Sequence, residues 1–190
     1  MEQTEKVDLR VKKTRAAIKN TFIEMIMEMN PSEITVKELT ERAQIHRKTF
    51  YLHYTCIEAL FEDMIQDIAN DYYKEIDQIP ADMPMKEVNR IFFEFYSKQP
   101  PYVERLMCAP EYQEFYDKTL TVTLMQHNRA RHNPYAHLPK TEQNIINTFL
   151  TKGSNNMYRQ WVADGKKIPL KRIIELTDEL LIHGIQDLAK

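Results

Sequence analysis

The chain has 190 residues, is 43% hydrophobic and 28% charged, and carries a formal net charge of −2, enough apolar content to bury one large domain or two small ones. No apolar run approaches the ~20 residues that a membrane-spanning helix needs, and the opening MEQTEKVDLR lacks the apolar core of a signal peptide, so a cytoplasmic protein without membrane contact is expected. Its glycines, Gly153, Gly165 and Gly184, leave no place for a Walker loop or a dinucleotide fingerprint, and Cys56 and Cys108 form no CxxC pair.

Taken in order, a basic segment leads into a helix over about Lys12 to Met29, whose stripe is Ile18, Phe22, Met25, Ile26 and Met29. Asn30-Pro31-Ser32 stops it. Thr35 and Glu38 then have the spacing of a capping box, which starts a helix with Val36, Leu39 and Ala43 on one face. Ala43-Gln44-Ile45 is a turn. From His46 a second short helix buries Phe50 and Tyr54 and leaves Arg47, Lys48, Thr49, Tyr51, Leu52 and His53 on its other faces. The layout is a helix-turn-helix with a face fit for a DNA major groove.

A long helix is predicted from Thr55 to Pro80, with Ile57, Leu60, Phe61, Met64, Ile65, Ile68 and Tyr72 on one face and Glu58, Glu62, Asp63, Asp67 and Asp71 elsewhere. Prolines punctuate the chain beyond Pro80: an amphipathic helix with Val88, Ile91, Phe92, Phe95 and Tyr96, a short one from Tyr102 to Cys108, and a longer one with Tyr112, Phe115, Tyr116, Val122 and Met125. His127 to Leu138 reads as a loop. Helices over about Lys140 to Ala163 and Leu170 to Leu188 close the chain. No alternating strand pattern occurs, so the fold class is all-α, with about nine helices.

The run Ile34-Thr35-Val36, Leu39, Ala43-x-Ile45, Thr49-Phe50-Tyr51-x-His53-Tyr54 and Glu58-x-Leu60 resembles the DNA-binding signature of TetR-type transcriptional regulators. Two positions depart from it. Gln44 stands where the family has Gly, at about 1–2 kcal/mol for a left-handed residue with a Cβ, and Ile57 stands where a lysine touches phosphate. The resemblance implies a DNA-binding head over residues 1–54 and a helical effector-binding and dimerisation domain over residues 55–190. It also implies that the long helix links the two, and that the effector releases a repressor from its operator.

Charge agrees in sign: residues 1–54 hold 10 Lys/Arg against 8 Asp/Glu. Arg10, Lys12, Lys13 and Arg15, with Lys37, Arg42, Arg47 and Lys48, would release counterions from DNA phosphates. By side-chain chemistry Arg47 and Lys48 are candidates for guanine, Thr49 for a base or thymine methyl, Leu52 for methyls, and Lys37 for a base edge or phosphate. Tyr51, His53 and Thr35 are phosphate candidates, with Tyr51 and His53 also open to packing on the first helix.

Phe92, Phe95, Tyr96, Met107, Tyr112, Phe115, Tyr116, Met125, Phe149, Tyr158 and Trp161 are candidates to line an effector pocket, against the plainer reading of core. The closing helices are apolar on more than one face. By the resemblance, Ile146, Leu150, Gly153, Met157, Ile174, Leu181, Gly184, Ile185 and Leu188 dock on a twin, against the alternative of burial in the monomer. Such a homodimer calls for a near-palindromic operator in double-stranded DNA. His127, His132 and His137, spaced by five, suit no metal site, no catalytic motif occurs, and no cofactor is expected. The alternative function keeps the DNA head but makes the C-terminal domain a dock for another protein, as in an activator or adaptor.

Overall fold

A computed structural model describes residues 2–78, 80, 84–127 and 135–183, and every regular element among them is helical. The helices are α1 (Glu2–Glu28), α2 (Val36–Arg42), α3 (Arg47–Tyr51), α4 (Ile57–Asp77), α5 (Met85–Ser97), α6 (Pro101–Cys108), α7 (Pro110–His127), α8 (Lys140–Ala163) and α9 (Leu170–Thr177). A 3-10 turn covers Pro31–Glu33, and α9 runs into a π-helical turn, Asp178–Ile182. No described helix is long and apolar enough to cross a membrane.

The chain packs into two compact units, Met1–Ile68 with Pro101–Leu120, and Ala69–Pro100 with Thr121–Lys190. The expected division after residue 54 is therefore not where the packing divides. The first part of α4, together with α6 and the start of α7, groups with the helix-turn-helix.

In the first unit α1 begins at Glu2, well before its apolar stripe predicts, because nothing in Glu2–Val11 breaks a helix even though Leu9, Arg10 and Val11 are exposed. Ile18, Phe22, Met25 and Ile26 are at most 1% exposed and form its inner face. It ends before Asn30-Pro31, where proline disfavours the helical backbone of its predecessor. Its last carbonyls are left without helical partners, and the returning segment supplies them. The hydroxyl of Tyr112 donates to Met29 O at 2.9 Å, while Arg105 Nη1 and Nη2 donate to Met27 O at 3.3 Å and Met29 O at 3.4 Å. Phe61 of α4 stacks on Tyr112 at 5.9 Å between centroids and meets Phe22 edge-on. These contacts explain why residues 101–120 belong with the head.

The second unit is built on aromatic rings. Phe92, Phe93 and Tyr96 of α5 meet Tyr158 of α8 at 5.8–6.1 Å, and Tyr72 of α4 meets Phe92, Phe95 and Tyr96 at 5.4–6.2 Å. Trp161 Nε1 donates to Ile168 O at 2.8 Å, fixing the turn that ends α8. Gly165 stands in that turn at φ +72°, which suits glycine. Asn89 joins three elements: its Nδ2 donates to Asp178 Oδ1 at 2.7 Å and its Oδ1 accepts from Ser154 Oγ at 3.3 Å. Burial raises the Asp178 carboxyl's pKa, against the bond from Asn89.

Candidate nucleic-acid interface

The helix-turn-helix is assembled by local backbone bonds. Thr35 caps α2 by accepting from Glu38 N–H at 3.2 Å, and Thr40 O accepts from Ile45 N–H at 3.0 Å across the turn. Closing that loop requires a left-handed residue, and Gln44 supplies it at φ +53°. The chain thus adopts the turn in which glycine was expected, with a side chain that carries the strain. His46 then starts α3 from extended backbone, at φ −73° and ψ 146°.

Side chains divide cleanly around α3. Phe50 is fully buried and Tyr54 is 6% exposed, their rings 5.8 Å apart, as the spacing predicts. Arg47, Lys48, Tyr51 and Leu52 face outward, Leu52 at 83% exposure, while Thr49 and His53 are half-buried. Thr35 and Lys37 are exposed on the start of α2. All eight candidate DNA residues are thus at or near the surface of one motif. Among the described residues, Lys37, Arg47 and Lys48 have no carboxylate within ion-pair distance.

Other cations of the head are engaged within the chain. Arg42 is held by Glu28 at 2.6 Å and Glu38 at 2.8 Å. Arg15 pairs with Asp63, and Lys19 pairs with Asp63 at 2.7 Å and with Asp67. Tyr54 joins the group: Arg15 Nε donates to its hydroxyl at 3.0 Å, and the hydroxyl donates to Asp63 Oδ2 at 2.8 Å. Burial pushes the Asp63 carboxyl up, but the bonds from Arg15, Lys19 and Tyr54 together outweigh it and bring it down to about 2. Burial, and then the bond to Asp63, raise the Tyr54 phenol's pKa. Arg15 and Arg42, expected on phosphates, are therefore engaged within the chain in this conformation, and Asp63 is a partly buried ion-pair partner while Asp67 pairs with Lys19 from the surface. A signal for this existed: Arg15 and Lys19 are four apart, as are Asp63 and Asp67.

The pocket candidates fall in both units. Met107, Tyr112, Phe115 and Tyr116 lie in the first, where Tyr112 is bonded to α1 and Phe115 is 36% exposed. Phe92, Phe95, Tyr96, Tyr158 and Trp161 are buried in the second, ring against ring, and Phe149 is 46% exposed on α8. Met125's side chain lies outside the described residues.

Of the dimer candidates, Ile146, Leu150 and Leu181 are buried in one cluster with Tyr135, and Met157 packs on it. Gly153 and Ile174 are half-buried. A Cβ on Gly153 would stand 2.8 Å from Leu181 Cδ1 of the same chain, so its close approach serves the monomer. Large apolar groups facing outward on these helices are Ile145, Phe149 and Leu180, at 69%, 46% and 57% exposure. Gly184, Ile185 and Leu188 lie outside the described residues. Among those described, no group of three or more His, Cys, Asp or Glu is placed to hold a metal ion.

Comparisons with known proteins bear on this geometry. A 66-residue stretch is 36% identical to an uncharacterized HTH-type transcriptional regulator, YxbF of Bacillus subtilis, covering 34% of this chain and 17% of that protein. A 112-residue stretch is 30% identical to the HTH-type transcriptional regulator EthR of Mycolicibacterium smegmatis, covering 53% of this chain and 51% of that one. The matches thus span about half or less of those relatives' length. No family model matches the chain. A TetR transcriptional regulator from Streptococcus agalactiae 2603V superposes with a TM-score of 0.68 over 94% of this chain and 98% of its own, at 19% identity. At that identity the likeness establishes the fold.

Proposed function

We propose that this chain, which has the fold and the helix-turn-helix of TetR-type transcriptional regulators, is a sequence-specific DNA-binding regulator of transcription. The observation that carries this reading is the exposed set Lys37, Arg47 and Lys48 around α3, without a carboxylate at ion-pair distance among the described residues, beside Thr35, Thr49, Tyr51, Leu52 and His53. Cations held in ion pairs add little to binding, whereas cations with no carboxylate partner can displace counterions from phosphate or donate to guanine. Arg47 and Lys48 open α3, the part of a recognition helix that reaches base edges.

The finer reading is a repressor that binds a near-palindromic operator as a homodimer and leaves it when a small molecule binds the second unit. Two heads on one side of the duplex need half-sites about 34–36 Å apart or a multiple of that. The outward Ile145, Phe149 and Leu180 are the apolar groups that a twin would cover, while Ile146, Leu150, Gly153 and Leu181 shape the helices beneath them. An effector must favour the released state by about 1–3 kcal/mol. The rings of the second unit pack against one another, so a ligand bound among them would have to part them. The same packing also favours a second reading, an activator or adaptor in which Ile145, Phe149 and Leu180 meet another protein.

Footprinting on the DNA upstream of the chain's own gene, across salt concentrations and with Arg47→Ala, tests the proposal. A protected near-palindrome that the variant no longer protects is the expected result. A folded dimer that protects no duplex, there or in a random library, would sink it.

A further inference from the structure

Three elements of the first unit meet at Asp63. Its carboxylate, on α4, accepts from Arg15 and from Lys19, both on α1, and from the hydroxyl of Tyr54, three residues beyond the end of α3. Arg15 also donates to that hydroxyl and lies 5.8 Å from the ring centroid. The phenol is therefore gripped by charged partners on two helices, each bond charge-assisted and directional. Helix α3 has five residues and one buried side chain, Phe50, whose ring rests on Tyr54. So short a helix does not hold its own direction, and Tyr54 is where that direction is tied to the rest of the unit.

We propose that Asp63 is a positioning residue for DNA recognition: it holds Tyr54 and thereby sets the angle at which α3 presents Arg47 and Lys48, while keeping Arg15 and Lys19 occupied. The inference rests on the DNA-binding reading above. Removing the carboxylate frees Arg15 of its ion pair and leaves Lys19 to Asp67 alone, which raises affinity for any duplex, and loosens the aim of α3, which lowers affinity for the right one.

The test begins with the wild-type chain selecting its preferred duplex from a random library. Asp63→Asn is expected to bind that duplex about tenfold more weakly, the loss of one good base contact. It should bind a scrambled duplex at least as tightly as wild type, with a steeper salt dependence. Tyr54→Phe, which removes only the hydroxyl, is expected to lose about threefold on the selected duplex, the worth of one hydrogen bond, and nothing on the scrambled one. A wild-type chain that selects no duplex overturns the DNA-binding reading and this inference with it. With a duplex in hand, an equal gain on both duplexes for Asp63→Asn would make the residue an electrostatic brake and overturn the inference alone. An equal loss on both, with Tyr54→Phe unmoved, would mark a structural role and do the same.

Discussion

Gln44 shows how one residue can hold a motif together while straining it. The turn between α2 and α3 needs φ near +53°, where a Cβ costs about 1–2 kcal/mol, and glycine's greater freedom when unfolded returns about half of that. Gln44→Gly is therefore expected to stabilise the chain by about 0.5–1 kcal/mol, read as a higher denaturation midpoint with an unchanged slope. A lower midpoint would mean that the Gln44 side chain makes up for its own backbone. Asp63 supplies the pH dependence. Its folded pKa of about 2 lies below the ordinary 3.8, so its contribution is fully present above about pH 4 and is lost as pH falls through 2. The side chain is 21% exposed, and after screening the contribution is about 1–2 kcal/mol. Wild type should exceed Asp63→Asn by that amount at pH 7, with the gap closing towards pH 2. A gap that stays constant on acidification would rule out the charged form as its source.

Elements were legible where their punctuation is local. Pro139 before α8 and Asp164-Gly165 after it mark an element that runs from Lys140 to Ala163, as its pattern predicts. Phe50 and Tyr54, one turn apart, are buried as their spacing requires. What the pattern could not supply is the choice of distant partners. Tyr112 reads as an apolar position of α7 and a pocket candidate, yet its hydroxyl closes the end of α1, eighty-three residues earlier in the chain. The start of α1 goes unmarked for a related reason, because periodicity detects burial, and Leu9, Arg10 and Val11 are exposed. Tyr112→Phe keeps the ring stack on Phe61 and removes the bond to Met29 O, leaving that carbonyl the weaker contact from Arg105 at 3.4 Å. A loss of about 1 kcal/mol is expected in chemical denaturation, with hydrogen exchange faster at the end of α1 than at its middle. Uniform acceleration along α1 would argue against a local cap.

At the scale of the whole molecule, the head's charge is a matter of which cations remain unpaired. The composition of residues 1–54 shows only a small basic excess, and the structure engages Arg15, Lys19 and Arg42 internally. The salt dependence of DNA binding should therefore follow the unpaired cations and not the total. Each phosphate contact contributes about 0.9 to the slope of log affinity against log salt, so in a dimer Lys37→Ala should reduce that slope by up to about 2 if both copies touch phosphate. Arg42→Ala should leave it nearly unchanged, because its guanidinium is already neutralised by Glu28 and Glu38. Slopes measured on one duplex between low and moderate salt separate the two cases. Equal reductions for Lys37→Ala and Arg42→Ala would mean that the Arg42 pairs open on DNA, and that the free chain's ion pairs are a store of phosphate contacts rather than struts.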